Sequence, residues 1–277
     1  MTNSTSKPGQ AIAFIGGGNM ATAIIGGLLR QGLPASEVEV VEPFEEARAR
    51  LQQQYGVVAQ ESASAALSRA QLVVWAVKPQ TFKDAALQVR GHTTGALHLS
   101  VAAGIRSDSI ASWLGTQNIV RSMPNTPALV GKGMTALFAR PGVSAAGKAA
   151  VEQVIATTGE YFWVDEEAHL DAVTALSGSG PAYVFFFLEA MREAGTQMGL
   201  PPAQAYKLAM ATFAGAIELA RASDDPPEVL RQRVTSKGGT TYAAITAMEQ
   251  DEIKQKFMRA LHAACTRAAE LGDEFGG

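Results

Sequence analysis

Three things are scarce in this sequence, and each scarcity excludes a class of protein. Cys265 is the only cysteine among 277 residues, so no disulfide can form within the chain and a reducing compartment is expected. Neither sign of charge dominates, since 23 basic side chains face 26 acidic ones without a basic run, which argues against nucleic acid and anionic membranes as partners. No apolar run approaches the ~20 residues of a membrane-spanning helix. We therefore expect a cytoplasmic protein.

Histidine is scarce as well, and the four that are present form no group with the spacing of metal ligands. His262 and Cys265 share a helical face, but two residues do not make a metal site, so no metal is expected. Ser179 is no nucleophile elbow, because Ser177 stands where that motif needs glycine. With no catalytic dyad in evidence, the chemistry is expected to depend on a cofactor.

Strands and helices alternate through the first half of the chain. Apolar runs predict strands at 11–15, 38–41, near 57, 72–77, 97–101, 119–122, 134–139 and 161–164, with helices at 20–31, 44–55 and 144–157. Continuous apolar strands separated by helices are typical of a parallel sheet covered on both faces. The pattern predicts an α/β fold with an N-terminal Rossmann-type, doubly wound, mostly parallel sheet.

The second half shows only helical periodicity. Helices are predicted at 182–198, 202–222, 227–234, 241–250 and 251–271. We expect three segments: a disordered polar lead at 1–10 that lacks the apolar core of a signal peptide, a dinucleotide-binding domain at 11–167, and an all-helical dimerisation domain at 168–277. A helical half that follows a nucleotide-binding half often carries the subunit interface.

A glycine-rich turn lies between the first strand and the first helix. Gly16, Gly17, Gly18, Asn19, Met20 and Ala21 match the pattern G-x-G-x-x-A. In this motif the first glycine makes the tight turn, the second lets the backbone approach a pyrophosphate, and the alanine keeps helix and strand close. The strand before the turn and the helix after it favour dinucleotide binding over a purely structural turn.

Glu42 ends the second strand, where an acidic side chain can accept hydrogen bonds from the adenosine ribose. A carboxylate there would repel a 2′-phosphate, which favours NADH over NADPH. Two alternatives stay open: Glu42 tips the strand into solvent, or Arg48 and Arg50 fold back and compensate its charge.

Two further strands end in short segments at the edge where ligands bind in such sheets. They are Ala76, Val77, Lys78 and Pro79 after the fourth strand, and Val101, Ala102 and Ala103 after the fifth. Lys78 could neutralise a phosphate or face the substrate. The alternative is an exposed lysine before a helix-starting proline.

Two loops in the second half combine small and polar residues. Residues 177–183 read Ser-Gly-Ser-Gly-Pro-Ala-Tyr and lead into an apolar helix, which suits either a ligand-facing backbone or an ordinary capped helix. In that helix Phe185, Phe186 and Phe187 are expected to lie in a core and not to stack on a cofactor. Residues 235–241 read Thr-Ser-Lys-Gly-Gly-Thr-Thr and offer hydroxyls and a helix start, as a carboxylate nest would. The alternative for the second loop is a Gly-Gly helix stop with a threonine cap.

Taken together, these blocks resemble the pyrroline-5-carboxylate reductase family in content and order. The matching segments are 16–21, 76–79, 101–104, 123–127, 176–183 and 236–241. The resemblance implies that NADPH or NADH reduces the C=N bond of 1-pyrroline-5-carboxylate to give L-proline. It also implies a homodimer with interleaved helical domains, in some relatives within a ring of dimers.

The resemblance assigns roles to individual residues. The substrate carboxylate would bind Ser236, Gly239 and Thr240, and Thr241 would contact the ring nitrogen as the catalytic residue. The nicotinamide and its ribose would lie against Ala76–Pro79 and Val101–Ala103, and Glu167 matches a position near the substrate.

The chain departs from the family at Glu42, where many relatives carry a small polar residue; at Lys237, which is often proline; and at Gln232 and Arg233. Two alternatives are a reductase for another cyclic imine or a 3-hydroxy acid, and a non-catalytic nucleotide sensor. The hydroxy-acid enzymes need a lysine base, and none of the helical-domain lysines sits in such a motif. The intact 236–241 loop argues against the sensor.

Overall fold

The computed structural model describes residues 11–276. The predicted lead at 1–10 lies outside the described residues. The described chain forms two compact units: 11–179 together with 264–276, and Gly180–Ala263. The predicted functional boundary between residues 167 and 168 stays a prediction.

The first unit is built on one eight-stranded sheet with the order β3-β2-β1-β4-β5-β6-β7-β8. The strands are β1 Ala11–Ile15, β2 Val38–Val41, β3 Ala59–Gln60, β4 Ala70–Trp75, β5 Leu97–Ser100, β6 Ile119–Met123, β7 Gly133–Ala139 and β8 Gly159–Trp163. Every neighbouring pair is parallel except β6 and β7. The predicted doubly wound, mostly parallel sheet is confirmed.

Helices cover both faces of this sheet. They are α1 Asn19–Arg30, α2 Glu45–Tyr55, α3 Pro79–Val89, α4 Ser107–Leu114, α5 Ala145–Ile155 and α6 His169–Val173. On one face Phe14 and Leu99 pack with Ile24. On the other, Trp75 stacks on Phe82 with ring centroids 4.8 Å apart. Burial on both faces explains why the apolar runs predicted β1 and β6 closely.

His98 lies inside the second of these cores. Its Nδ1 accepts a hydrogen bond from Trp75 Nε1 at 3.0 Å, and burial lowers the pKa of His98 to about 4. The ring is therefore neutral at physiological pH and holds β5 to β4. Across 11–276 no three His, Cys, Asp or Glu side chains gather as metal ligands.

The second unit is helical throughout its described residues. Its helices are α7 Gly180–Gln197, α8 Pro202–Arg221, α9 Pro227–Arg233, α10 Thr240–Gln250 and the first half of α11 Ile253–Phe275. Helices α7 and α8 pack closely, since a Cβ added at Gly195 would stand 2.8 Å from Ala205 Cβ. Helix α11 begins at Ile253 and not at 251, because Glu252 adopts a left-handed conformation with φ 54°.

Large apolar side chains lie exposed on this helical unit. Phe186 is 66% exposed, Leu219 70% and Met198 77%. The expectation that Phe185 and Phe186 lie in a core is wrong for the single chain, because both rings face outward. An apolar surface of this extent indicates a site of protein association. In the described part of the chain, no helix is long and apolar enough to cross a membrane.

Candidate active site

The glycine turn after β1 has the geometry that the motif predicts. Gly16 adopts φ 98°, and a Cβ there would stand 2.6 Å from the carbonyl oxygen of Ala76. Gly18 begins α1 without a side-chain cap, and a Cβ added to it would meet nothing within 4 Å. Ala21 is fully buried. The turn therefore leaves room beside Gly18 at the start of α1, where the first N–H groups have no acceptor within the helix, and this fits the pyrophosphate of a dinucleotide.

The two strand-end segments lie at the same edge as the glycine turn. Ala76 N donates to Ile15 O at 2.8 Å, and Val101 N donates to Trp75 O at 3.0 Å, so the three chain segments leave the sheet side by side. Ala102 is buried, whereas Ala103 and Val77 are half-buried. The structure thus gathers the predicted cofactor residues at the carboxyl ends of β1, β4 and β5.

Lys78 is exposed and caps α3, whose first residue is Pro79. Its carbonyl accepts hydrogen bonds from the amide and hydroxyl of Thr81, both at 3.1 Å. The side chain is accessible to a phosphate, yet the exposed-lysine alternative describes the same geometry. Its role in cofactor binding stays a prediction.

Glu42 is buried, with 6% of its surface exposed, so the alternative that it tips the strand into solvent is wrong. Its Oε2 accepts a hydrogen bond from Gly17 N at 2.6 Å, and its Oε1 accepts one from Phe44 N at 2.9 Å. The carboxylate thereby joins the glycine turn to the entry of α2. Sequence reasoning found Glu42 but not these two amide partners.

The loop after β6 joins two of the sequence blocks. Asn125 Oδ1 accepts a hydrogen bond from Met134 N at 3.0 Å, and its Nδ2 donates to Ser177 Oγ at 3.0 Å. Ser177 belongs to a π-helical turn, Thr174–Gly178, in which Ser179 N donates to Thr174 O. π turns inside helices occur often at functional sites. The 177–183 stretch is therefore no ordinary capped helix, because α7 continues directly from this turn.

Glu167 lies in a charged cluster of the first unit. Its Oε1 accepts hydrogen bonds from Ser107 N and Arg121 Nη1, both at 2.6 Å, and its Oε2 accepts one from Ser107 Oγ at 2.5 Å. Burial alone raises the pKa of Glu167, but the hydrogen bonds from Ser107 and the charge of Arg121 outweigh it and hold the pKa below its ordinary value. Both oxygens have partners within the chain, and its substrate contact stays a prediction.

Sequence reasoning missed Ser107 and Arg121 as partners of Glu167. Arg121 stands in the middle of a buried strand, where it is only 5% exposed. A charged side chain at such a position needs an anion nearby. An arginine within an apolar strand was therefore the feature of the sequence that could have indicated a buried ion pair.

The loop between α9 and α10 lies in the helical unit. Gly238 adopts φ 76°, and Gly239 begins α10 without a side-chain cap. A Cβ at Gly239 would stand 2.7 Å from Ser236 Oγ, so this hydroxyl lies beside the Gly239 backbone. The alternative of a threonine cap is wrong, because Thr240 is already the first residue of the helix. Gly239 N already donates to Ser236 O at 3.0 Å, so the Ser236 hydroxyl and the first amides of α10, from Thr240 onward, are the groups that suit a carboxylate.

Known proteins show the same combination of domains. The family model described as pyrroline-5-carboxylate reductase dimerisation matches residues 167–271, and the model described as NADP oxidoreductase, coenzyme F420-dependent, matches 11–104. The chain is 42% identical to a pyrroline-5-carboxylate reductase of Pseudomonas aeruginosa over 96% of its own length and 98% of that protein. The chain belongs to the pyrroline-5-carboxylate reductase family.

Solved structures of pyrroline-5-carboxylate reductases agree with this assignment. The chain is 37% identical to the enzyme of Coxiella burnetii, with a TM-score of 0.88 over 95% of this chain and 98% of that one. It is 26% identical to the enzyme of Plasmodium falciparum, solved with NADP bound, with a TM-score of 0.86 over 96% of this chain and all of that one. The match to the family's dimerisation domain indicates that the chain self-associates.

Proposed function

We propose that this chain reduces 1-pyrroline-5-carboxylate to L-proline with NADH or NADPH, the last step of proline biosynthesis. The observation that carries the proposal is that the chain has both an open glycine turn at the start of α1, in the first unit, and an uncapped, hydroxyl-flanked turn at the start of α10, in the helical unit. The first suits a dinucleotide and the second suits a carboxylate, which are the two ligands of this reaction.

When bound, the coenzyme would supply the hydride that the imine carbon accepts, and a proton on the ring nitrogen would complete the amine. The chain's part is to hold the ring and the coenzyme in register and to exclude water. Gly16–Met20 bind the pyrophosphate, and Ala76–Pro79 with Val101–Ala103 hold the nicotinamide end. Ser236, Gly239 and Thr240 bind the carboxylate, and Glu167 lies near the substrate.

Thr241 is the proposed catalytic residue. It is half-buried in the first turn of α10, two residues after Gly239. The hydroxyl oxygen there can accept a hydrogen bond from the protonated ring nitrogen, or its O–H can donate to the neutral imine, and either contact holds or relays the proton on nitrogen during reduction. We expect Thr241→Ala to lower kcat roughly 100-fold while the coenzyme Kd stays unchanged. Thr241→Ser should restore most of the rate; unchanged kinetics in Thr241→Ala would remove Thr241 from the mechanism.

The variant Ser236→Ala tests the proposed carboxylate site separately from Thr241. Losing one hydrogen bond to a charged group should raise the substrate KM about tenfold, with kcat little changed. Thr235→Ala is the matched control, because that hydroxyl donates to Arg231 O at 2.6 Å and serves α9 instead. A KM equal to that of the parent in Ser236→Ala would count against the nest.

The decisive assay compares oxidation of NADH and NADPH in the presence of 1-pyrroline-5-carboxylate and of its larger-ring homologue. Turnover of the five-membered ring supports the proposal, turnover of the larger ring alone supports a related imine reductase, and no turnover leaves the sensor alternative. We further propose a homodimer as the working unit, in the cytoplasm. Light scattering decides between the dimer and a ring of dimers.

A further inference from the structure

The carboxyl end of β2 carries a buried carboxylate whose partners are all backbone amides. Glu42 follows Val41, the last residue of β2, and its two oxygens each accept one N–H, from Gly17 and from Phe44. A carboxylate can accept about four hydrogen bonds. Glu42 is therefore fixed in direction and keeps capacity for two more donors.

The position of Glu42 relates it to the adenosine ribose. Gly17 lies between Gly16 and Gly18 in the turn that faces the pyrophosphate, and Glu42 Oε2 is 2.6 Å from its nitrogen. In sheets of this kind the acidic residue at the end of β2 accepts hydrogen bonds from the ribose hydroxyls. The 2′-phosphate of NADPH would place a second anion against this buried charge.

Arg48, a cation beside this strand end, is already engaged. Arg48 folds back, as one alternative predicted, but its Nη1 donates to the carbonyl oxygens of Glu42 and Pro43 at 2.9 and 2.7 Å. Its Nη2 lies 3.8 Å from Glu61 Oε2. Arg48 thus ties the strand end to α2, and a phosphate would have to displace these contacts to engage it bidentately.

The start of α2 offers a phosphate little. Phe44 is the N-cap of α2, and its N–H already donates to Glu42. Glu45 and Glu46 fill the first turn, where they take up the favourable interaction with the helix dipole that a phosphate would otherwise gain. Three carboxylates therefore stand at this entry, where an enzyme built for NADPH needs positive charge.

We propose that Glu42 determines coenzyme specificity and makes this chain prefer NADH: it accepts a hydrogen bond from the 2′-hydroxyl of NADH and repels the 2′-phosphate of NADPH. This deepens the proposed function and rests on it only for the use of a nicotinamide dinucleotide.

Calorimetry tests the proposal without turnover, with NADH, NADPH and the fragments AMP and 2′,5′-ADP as probes. We expect the parent chain to bind NADH at least about tenfold more tightly than NADPH, since opposed like charges weaken binding strongly. Glu42→Ser should reduce that ratio at least about tenfold. Glu160→Ser makes the same change of charge on β8, far across the sheet from β2, and should leave the ratio unaltered.

Glu42→Ser also removes the acceptor of the Gly17 amide, so thermal unfolding without ligand is measured for each variant to show that it is folded. Glu42→Gln provides a second variant, which removes the charge and keeps nearly the same shape. The inference is overturned if the parent binds NADPH as tightly as NADH, or if folded Glu42→Ser and Glu42→Gln keep the parent's ratio. If NADPH binds at least as well and the imine is reduced, only this inference fails. If neither coenzyme binds, the proposed function fails with it.

Discussion

Replacing Glu167 by alanine leaves the Arg121 guanidinium buried without its anion. The Arg121 side chain is 5% exposed and that of Glu167 19%, with 2.6 Å between Nη1 and Oε1. Among the described residues, Arg121 Nε has no hydrogen-bond partner, so this guanidinium is already incompletely satisfied. Removing one partner of a buried ion pair costs about 3–5 kcal/mol. Because Glu167 keeps some exposure, we expect a loss of about 3 kcal/mol.

Chemical and thermal unfolding measure this loss, at a fixed protein concentration because the chain self-associates. For a unit of this size 1 kcal/mol shifts Tm by about 2–4 °C, so Glu167→Ala should lower Tm by roughly 6–12 °C. Glu166→Ala is the matched control, since Glu166 is exposed and should change stability by no more than about 0.5 kcal/mol. A loss below about 1 kcal/mol for Glu167→Ala, the value of a surface pair, would refute the reasoning.

The same pair gives stability a dependence on pH. The pKa of Glu167 is lower in the folded chain than in the unfolded one, so its contribution is present above the unfolded pKa and is lost as pH falls through the folded pKa. The difference in stability between the parent and Glu167→Gln should therefore shrink on acidification. A difference that stays constant into the acid range would contradict this assignment.

Two further predictions concern backbone conformation. Gly16→Ala should lower the free energy of unfolding by about 2 kcal/mol or more, because φ is 98° and the new Cβ would stand 2.6 Å from Ala76 O, a backbone atom that cannot rotate away. Gly18→Ala has open space around the new Cβ, so it should fold normally and lose coenzyme affinity. Equal stability of the two variants would contradict this. Glu252→Gly should stabilise the chain by about 1 kcal/mol in urea unfolding by relieving a φ of 54°, whereas Asp251→Gly, at φ −82°, should not.

The sequence predicted the sheet well because each strand carries its own signal. Strands such as β1 are buried at every position, so apolar runs mark them without reference to the rest of the chain. The starts of the predicted helices lie within about two residues of those found, for a similar local reason, namely prolines such as Pro202 and Pro227 at the first positions. The last helix was predicted to end at 271 but continues to Phe275.

The site was predicted less completely, because its contacts join residues far apart in the chain. Glu42 meets Gly17 across 25 residues, and Glu167 meets Ser107 across 60. The residue types suggested charge and polarity at these positions, but only the fold specifies which amide or hydroxyl is the partner. The outward-facing Phe185 and Phe186 were misassigned to a core for a different reason, since a periodic apolar pattern does not distinguish a core within one chain from a surface shared between chains.

Large apolar side chains face outward on the helical unit, so the stability of the folded chain should depend on protein concentration. Phe186, Met198 and Leu219 are all more than half exposed in the single chain, so self-association that covers them would complete their transfer from water. For a dimer, each tenfold rise in protein concentration adds about 1.4 kcal/mol per mole of dimer to the apparent stability. Dilution should therefore lower the stability of the fold. Polar substitution at these positions, which are exposed in the single chain, should destabilise the dimer as much as polar substitution of a buried leucine.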